Sequence, residues 1–166
     1  MDKGRFEKAF EYVMKNEGNY SNDSSDFGGE TKYGISKRSY PNLNIKGLTQ
    51  KNAKEIYRRD FWMRGRYDEI KAEKLAIKLF DLAVNVGTIQ ANKLIQRALR
   101  AVGKTVAEDG MFGAITLAAV NQADAKQLLT ALKSEAAGYY RLIADKNPQQ
   151  QKFLSGWLNR AYRQIN

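Results

Sequence analysis

The sequence contains neither cysteine nor histidine among its 166 residues, and it contains only two prolines. The absence of cysteine excludes a disulfide framework, a thiolate metal site and a thiol nucleophile. The absence of histidine removes the most common general base and zinc ligand, and it excludes a Ser-His-Asp triad. An enzyme of this composition must therefore transfer protons with carboxyl groups. Glycoside hydrolysis is a reaction that carboxyl groups can perform alone.

Long apolar segments are also absent. No stretch approaches the roughly 20 apolar residues of a membrane-spanning helix, and residues 1–5 lack the apolar core of a secretory signal peptide. We therefore expect the protein to remain in the cytoplasm of the cell that makes it until another event releases it. A length of 166 residues is typical of one domain, or of one domain with a small appendage.

The charge of the chain is strongly positive. There are 28 Lys and Arg residues against 18 Asp and Glu residues, which gives a formal net charge of +10. Such a surface favours an anionic partner, either a nucleic acid or an anionic polymer or cell envelope. The basic residues are scattered rather than clustered on one helix or arm, which argues against specific nucleic-acid binding.

The first predicted helix ends near a carboxyl group. Its apolar face consists of residues at helical spacing, namely Phe6, Ala9, Phe10, Val13 and Met14. At about 100° per residue, Glu17 returns to this face, and Gly18 is expected to end the helix. Desolvation on a core-facing stripe raises the pKa of a carboxyl group, which can then act as a general acid. The alternative is that Glu17 is simply a partly exposed residue at a helix end.

A polar segment follows Glu17. Residues 18–29 are rich in Ser, Asn, Asp and Gly and predict a small loop or hairpin over Glu17, and residues 31–35 predict a short strand. This segment supplies Asp26 and the hydroxyl group of Thr31, which together with Glu17 could flank a glycosidic bond. The alternative is that Asp26 caps a turn and that Thr31 is an ordinary hairpin residue.

Residues 72–86 are apolar on nearly all sides, so this helix is predicted to be central and buried. Asp81 and Asn85 are four positions apart and therefore lie on one face of it. Polar side chains on a buried helix need partners. The sequence leaves two interpretations open: the pair borders a ligand cleft, or it forms structural hydrogen bonds to the hairpin.

Helical spacing predicts further helices over residues 49–61, with Thr49 as N-cap, and over residues 89–102, 123–145 and 153–165. Asp109-Gly110 predicts a tight turn that leads into another helix. Phe61-Trp62-Met63 is either core or the lining of a cleft. The predicted fold class is mainly α, with one small β-hairpin or loop after the first helix.

Several of these segments together resemble the glycoside hydrolase 108 family of phage and prophage N-acetylmuramidases. The N-terminal motif that carries the resemblance is Glu17-Gly18-x-Tyr20, then Asp26, then Gly28-Gly29-x-Thr31-x-Tyr33-Gly34-Ile35. Asn19 stands where the family has a second glycine. Two later strings resemble the predicted peptidoglycan-binding region at the C-terminal end of this family: Asp109-Gly110-x-x-Gly113-x-x-Thr116 and Phe153-Leu154-x-Gly156-Trp157-x-Asn159-Arg160.

The resemblance implies a lysozyme-like fold and cleavage of the β-1,4 bond between N-acetylmuramic acid and N-acetylglucosamine in bacterial peptidoglycan. It implies Glu17 as the catalytic acid, with Asp26 and Thr31 as catalytic partners. It implies no metal and no organic cofactor. The substrate-binding residues that it implies are Tyr20, Tyr33, Asp81 and Asn85.

The resemblance also implies a catalytic region over residues 1–91 and a C-terminal helical region over residues 92–166, packed as one compact body. We expect a monomeric phage or prophage endolysin that stays in the host bacterial cytoplasm until a pore or lysis gives access to the cell wall. The alternative is a non-catalytic peptidoglycan-binding or secretion-activator protein of the same shape. Asn19 is the feature that favours this alternative.

Overall fold

The structure is a computed structural model and describes residues 3–17, 20–22 and 29–166. Three short strands lie in this part of the chain: β1 (Ser21–Asn22), β2 (Glu30–Lys32) and β3 (Ile35–Ser36). Its α-helices are α1 (Lys3–Met14), α2 (Gln50–Tyr57), α3 (Glu73–Val86), α4 (Thr88–Ala101), α5 (Ala114–Gln122), α6 (Ala125–Lys146) and α7 (Leu154–Tyr162). A π-helix continues α2 over Arg58–Met63, and two 3-10 helices span Tyr67–Glu69 and Pro148–Phe153. The predicted mainly α fold with a small β element is confirmed.

Helix α1 buries the predicted apolar face, with Phe6, Ala9, Phe10 and Val13 at most 5% exposed. The regular helix ends at Met14, earlier than predicted. Two further helical hydrogen bonds, from the backbone N–H of Lys15 to the Glu11 carbonyl at 3.2 Å and from that of Glu17 to the Val13 carbonyl at 3.1 Å, carry the chain in a turn to Glu17. The predicted role of Gly18 lies outside the described residues.

The strands form an antiparallel sheet in the order β1-β2-β3. Thr31 of β2 pairs with Ser21 on one side and with Ser36 on the other. The prediction of one strand over residues 31–35 is wrong, because Tyr33 and Gly34 form a turn between β2 and β3. Their φ angles are +52° and +75°, and two consecutive positive φ angles are typical of tight two-residue hairpin turns.

Helix α3 is the centre of the molecule, as its apolar sequence predicts. It packs against α1, α4 and α6, and every residue from 75 to 83 is buried. The ring of Phe80 contacts the rings of Phe6, Tyr57 and Trp62 at centroid distances of 5.5 to 6.1 Å. Trp62 is therefore part of the core, and it is 2% exposed.

The C-terminal helices are held by side-chain hydrogen bonds as well as by packing. Gln96 on α4 is 1% exposed and binds the turn before α5. Its Nε2 donates to Asp109 Oδ1, to the Met111 carbonyl and to Thr116 Oγ1 at 2.9 to 3.2 Å. Its Oε1 accepts from the backbone N–H of Gly110 at 2.9 Å. We call these residues the Gln96 cluster.

The hydrophobic core continues from α1 through α3 to α4 and α6, and so it crosses residue 91. The division of the chain at that residue stays a prediction. Among the described helices, none has both the length and the apolar character that crossing a membrane requires.

Candidate active site

Glu17 lies in the turn after α1, and its side chain is 17% exposed. Its Oε1 accepts a hydrogen bond from Nη2 of Arg160 at 2.9 Å. Arg160 belongs to α7, 143 positions later in the chain, and is 9% exposed. The carboxylate therefore lies at the edge of the core, with one of its oxygens bound by a buried guanidinium.

The second oxygen of Glu17 faces the turn between β2 and β3. A Cβ atom placed on Gly34 would lie 2.8 Å from Glu17 Oε2 and 2.5 Å from the hydroxyl of Tyr57, so the site leaves room only for glycine. The Tyr57 hydroxyl donates to the carbonyl of Tyr33 at 2.7 Å and fixes this turn. Burial raises the pKa of Tyr57, and the charge of Glu17 adds to the rise, so Tyr57 is a neutral phenol near pH 7.

Asp81 binds Arg160 from the core side. Its Oδ1 accepts from Nε of Arg160 at 3.2 Å and from Nη2 at 2.9 Å. Burial opposes the charge of the guanidinium, but Asp81 and Glu17 outweigh burial and raise the pKa of Arg160 above its usual value. Asp81 is 0% exposed. In this structure Asp81 reaches the site through Arg160, and its predicted contact with substrate stays a prediction.

Two further side chains complete the surroundings of Asp81. Lys78, one turn earlier on α3, donates to Asp81 Oδ2 at 3.4 Å and to the carbonyl of Arg160 at 2.6 Å. Burial lowers the pKa of Lys78 to about 8, although Asp81 opposes the shift. Asn16 Nδ2 donates to Asp81 Oδ1 at 3.1 Å. We call Glu17, Arg160, Asp81, Lys78 and Asn16 the ionic cluster.

Asn85 has a different partner from Asp81. Its Oδ1 accepts a hydrogen bond from the hydroxyl of Tyr140 on α6. Among the described residues, Asp81 binds Arg160 of α7 and Asn85 binds Tyr140 of α6, and the alternative that ties the two residues to the hairpin stays a prediction. Asn85 is exposed, so its predicted contact with substrate stays a prediction.

The predicted residues of the sheet make mostly local contacts. The Thr31 hydroxyl donates to the carbonyl of Gly29 at 3.1 Å, and the hydroxyl of Tyr20 donates to Glu30 Oε1 at 3.2 Å. Tyr33 meets the site through its carbonyl, which binds Tyr57. Asp26 lies outside the described residues. The structure thus brings Glu17 together with the Tyr33-Gly34 turn and with Asp81, whereas Tyr20 and Thr31 are engaged elsewhere on the sheet.

This arrangement suits proton transfer by a carboxyl group. One oxygen of Glu17 is held in place by the Arg160 guanidinium, and the other lies beside Gly34, which admits a neighbouring group closely. No set of three Asp or Glu side chains in the described ranges is grouped to hold a metal ion.

Sequence reasoning missed Arg160, Lys78 and Asn16 as members of the site. A signal was available for one of them. Asp81 on a buried helix requires a cationic or donor partner, and Arg160 closes the C-terminal string that resembles the family. Nothing in the sequence patterns indicated that Lys78 would be fully buried, because lysine seldom is.

Two segments of the chain match known family models. Residues 10–87 match the family model of glycosyl hydrolase 108, and residues 90–162 match that of a predicted peptidoglycan domain. The resemblance predicted from the sequence motifs is thereby confirmed. The two matched regions support a peptidoglycan hydrolase or binder, and the first supports a glycoside hydrolase. The pair of Glu17 with Arg160 joins one region to the other.

Among solved structures, the chain is similar to that of SagA from Brucella abortus. The TM-score is 0.80 at 28% sequence identity, and the alignment covers 97% of this chain and 91% of that chain. The comparison with curated proteins found no match.

Proposed function

We propose that the protein is an N-acetylmuramidase that cleaves the β-1,4 bond between N-acetylmuramic acid and N-acetylglucosamine in peptidoglycan. Glu17 is the general acid of this reaction. The observation that carries the proposal is the Glu17 carboxyl group, bound by Arg160 at the edge of the core, within the region that matches glycosyl hydrolase 108.

The proton donor is Oε2 of Glu17, since Oε1 is engaged by Arg160. Protonation of the glycosidic oxygen breaks its bond to the sugar and leaves a carboxylate on Glu17. Arg160 stabilises that carboxylate as its charge develops, and Asp81 holds the guanidinium in place for it. The role of Arg160 is therefore electrostatic support of the transition state.

The second catalytic group in the proposal is Asp26, with Thr31 on the central strand of the sheet. In glycoside hydrolysis, such a group stabilises the positive charge on the sugar or orients the attacking water. Asp26 is assigned this role from the family resemblance alone. Thr31 has a described position: its part-buried hydroxyl donates to the Gly29 carbonyl.

We place the activity in a phage or prophage endolysin that acts as a monomer after leaving the host cytoplasm. The net charge of +10 supports this placement, because a basic protein is attracted to an anionic cell envelope.

The test is digestion of purified peptidoglycan, followed by borohydride reduction and mass spectrometry of the products. An N-acetylmuramidase leaves new reducing ends on muramic acid, so reduced muramic acid should appear with time. Reduced glucosamine ends instead would assign the cut to the other glycosidic bond and contradict the proposed specificity.

The alternative is a protein that binds peptidoglycan without cutting it. The match of residues 90–162 to a predicted peptidoglycan domain favours it specifically. In the same digestion, this alternative predicts that the protein sediments with the insoluble peptidoglycan while no new reducing ends appear.

A further inference from the structure

A groove outside the ionic cluster runs between the π-helix and the junction of α3 with α4. One wall is formed by Tyr40, Asp60, Phe61 and Arg64, and the other by residues 86–90. Its volume is about 830 Å³, within the range of about 300–1,000 Å³ that is typical of sites for small molecules. We call it the Arg64 groove.

The Arg64 groove carries a surplus positive charge. Asp60 is already paired, because it accepts two hydrogen bonds from Arg59 at 2.6 and 2.8 Å and one from the Tyr40 hydroxyl at 2.8 Å. The bond from Arg59 holds the pKa of Asp60 below its usual range, so Asp60 is a carboxylate near pH 7. Arg64 is exposed and is within ion-pair distance of no described carboxylate, although its charge adds to the lowering of the pKa of Asp60. Its charge is therefore available to a ligand.

The same groove offers aromatic surface. Tyr40 and Phe61 are partly buried, with one side packed against the hydrophobic core and another side on the groove. An aromatic wall suits the apolar face of a sugar ring, and the polar groups of Ser39 and Gln90 can meet its hydroxyls. The groove therefore offers aromatic and polar groups that can bind a saccharide, together with the Arg64 guanidinium, which can bind a carboxylate.

The groove begins one side chain away from Glu17. The rings of Phe61 and Tyr57 are 5.5 Å apart, and the hydroxyl of Tyr57 and the carboxylate of Glu17 both approach Gly34. The opposite wall begins at the C-terminal end of α3, directly after Asn85. A polymer held at Glu17 can therefore extend into the Arg64 groove.

We propose that the Arg64 groove binds an acidic sugar unit of the glycan strand, with its ring against Tyr40 and Phe61 and its carboxylate at Arg64. The carboxylate belongs to the lactyl ether of muramic acid or, where a peptide stem is attached, to that stem. The inference rests on the proposed function, which supplies the polymer. It adds a residue that selects acidic glycans over uncharged ones.

The test is equilibrium binding by calorimetry to the full chain carrying Glu17→Gln, which prevents hydrolysis of the probes. Three probes are compared: chitotriose, the disaccharide of N-acetylglucosamine and N-acetylmuramic acid, and the same disaccharide bearing a tetrapeptide. Adding Arg64→Gln should weaken the binding of acidic probes about tenfold, because a charge-assisted hydrogen bond is lost, and chitotriose should change less than about twofold. If Arg64→Gln weakens binding of the peptide-free disaccharide, the carboxylate at Arg64 is that of the lactyl ether. If it weakens binding of the tetrapeptide probe alone, the carboxylate belongs to the peptide stem.

Arg141→Gln is the matched control, since Arg141 is an exposed arginine on α6 outside the groove and its removal changes the net charge equally. It should leave the binding of all three probes within about twofold. A third variant, Phe61→Leu, should weaken all three probes alike because the aromatic wall is common to them. The proposal is overturned if Arg64→Gln and Arg141→Gln act equally on the acidic probes, or if the Glu17→Gln protein binds none of the probes.

Failure of this inference and failure of the proposed function are distinguishable. If the wild type releases no reducing ends from peptidoglycan while Arg64-dependent binding of the acidic probes is present, the groove assignment stands and the hydrolase does not. If the wild type cuts peptidoglycan but Arg64→Gln binds acidic probes as tightly as its parent, the hydrolase stands and the groove assignment falls.

Discussion

The ionic cluster and the Gln96 cluster are both polar groups inside a helical core, but they are built differently. The Gln96 cluster is centred on a neutral amide that bonds at both its nitrogen and its oxygen, and its partners lie at most 20 positions away in the chain. The ionic cluster joins groups 143 positions apart and contains buried charges. It also ends in the partly exposed carboxyl group of Glu17.

The difference separates a structural role from a functional one. Fixing a turn requires hydrogen bonds but no buried ion pair, and Gln96 does this for the turn before α5. Buried ions have a large desolvation cost that attraction between them only partly offsets. A chain that needs only stability has no reason to bury Lys78, Asp81 and Arg160 together. We interpret the ionic cluster as the support that a charged group at Glu17 requires.

Asp81→Ala should have the largest effect on stability. It leaves Arg160 and Lys78 buried without their shared carboxylate, and breaking a buried ion pair typically costs about 3–5 kcal/mol. Urea unfolding followed by circular dichroism measures the loss. Asp145→Ala removes an exposed carboxylate of α6 and should change stability by less than about 0.5 kcal/mol. Equal, small losses for the two variants would mean that the ionic cluster is not a coupled unit.

Gly34→Ala should have the second largest effect, mainly on catalytic activity rather than on stability. The added methyl group would overlap Glu17 and Tyr57, so we expect at least about a tenfold lower rate of peptidoglycan cleavage. Gly103→Ala is the control for backbone strain, because Gly103 also has a positive φ angle but no described atom near its Cβ position. If both variants lose activity equally, the loss reflects strain rather than contact with Glu17.

Gln96→Leu should destabilise the protein without disabling the site. Removal of the Gln96 amide leaves several polar groups of the turn without a hydrogen-bond partner, which should lower the free energy of unfolding by about 1–3 kcal/mol. Activity per folded molecule, assayed at a temperature where the variant is fully folded, should stay within about twofold of wild type. A large fall in activity at full folding would erase the distinction between the two clusters.

The smallest expected effect is on the pH dependence of stability. The pKa of Lys78 is about 8 in the folded protein, compared with 10.5 for an unburied lysine. Between these values the unfolded chain holds a proton that the folded chain has lost, so stability rises with pH, by about 1–2 kcal/mol from pH 8 to 9.5. Above pH 10 stability should fall again, because burial raises the pKa of Tyr57, Tyr67 and Tyr140 in the folded state only.

Lys78→Met isolates the contribution of Lys78 in the same urea titrations. In this variant the rise from pH 8 to 9.5 should be absent, while the fall above pH 10 should remain. A rise of unchanged size in Lys78→Met would assign the effect to another group.

Local features were predictable from the sequence. The apolar stripe of α1 leads to Glu17, and Thr49 caps α2 as expected, with its hydroxyl accepting from the backbone N–H of Asn52 at 3.2 Å. The continuous apolar character of α3 indicated its central place. Each of these depends on residues within a few turns of one another, where helical periodicity and capping preferences are informative.

Long-range partners were not predictable in this way. Arg160 meets Glu17 and Asp81 only because α7 packs near α3 and the end of α1, and periodicity within α7 carries no information about which acid its arginine will reach. The turn at Tyr33-Gly34 was also missed, since a run of alternating residues predicts one strand. The glycine at position 34 was the available signal for that turn, because glycine adopts positive φ angles easily. In the structure Gly34 has a positive φ angle and leaves no space for a Cβ atom.

The most direct measurement is the release of reducing ends from purified peptidoglycan by the wild type, by Glu17→Gln and by Glu30→Gln. Glu30 is a matched control, since it is a carboxylate of β2 whose bond partner is the Tyr20 hydroxyl. If Glu17 is the general acid, Glu17→Gln should lower the rate at least about a hundredfold, while Glu30→Gln should remain within about threefold of wild type. Wild-type activity in Glu17→Gln would contradict the assignment of the catalytic acid.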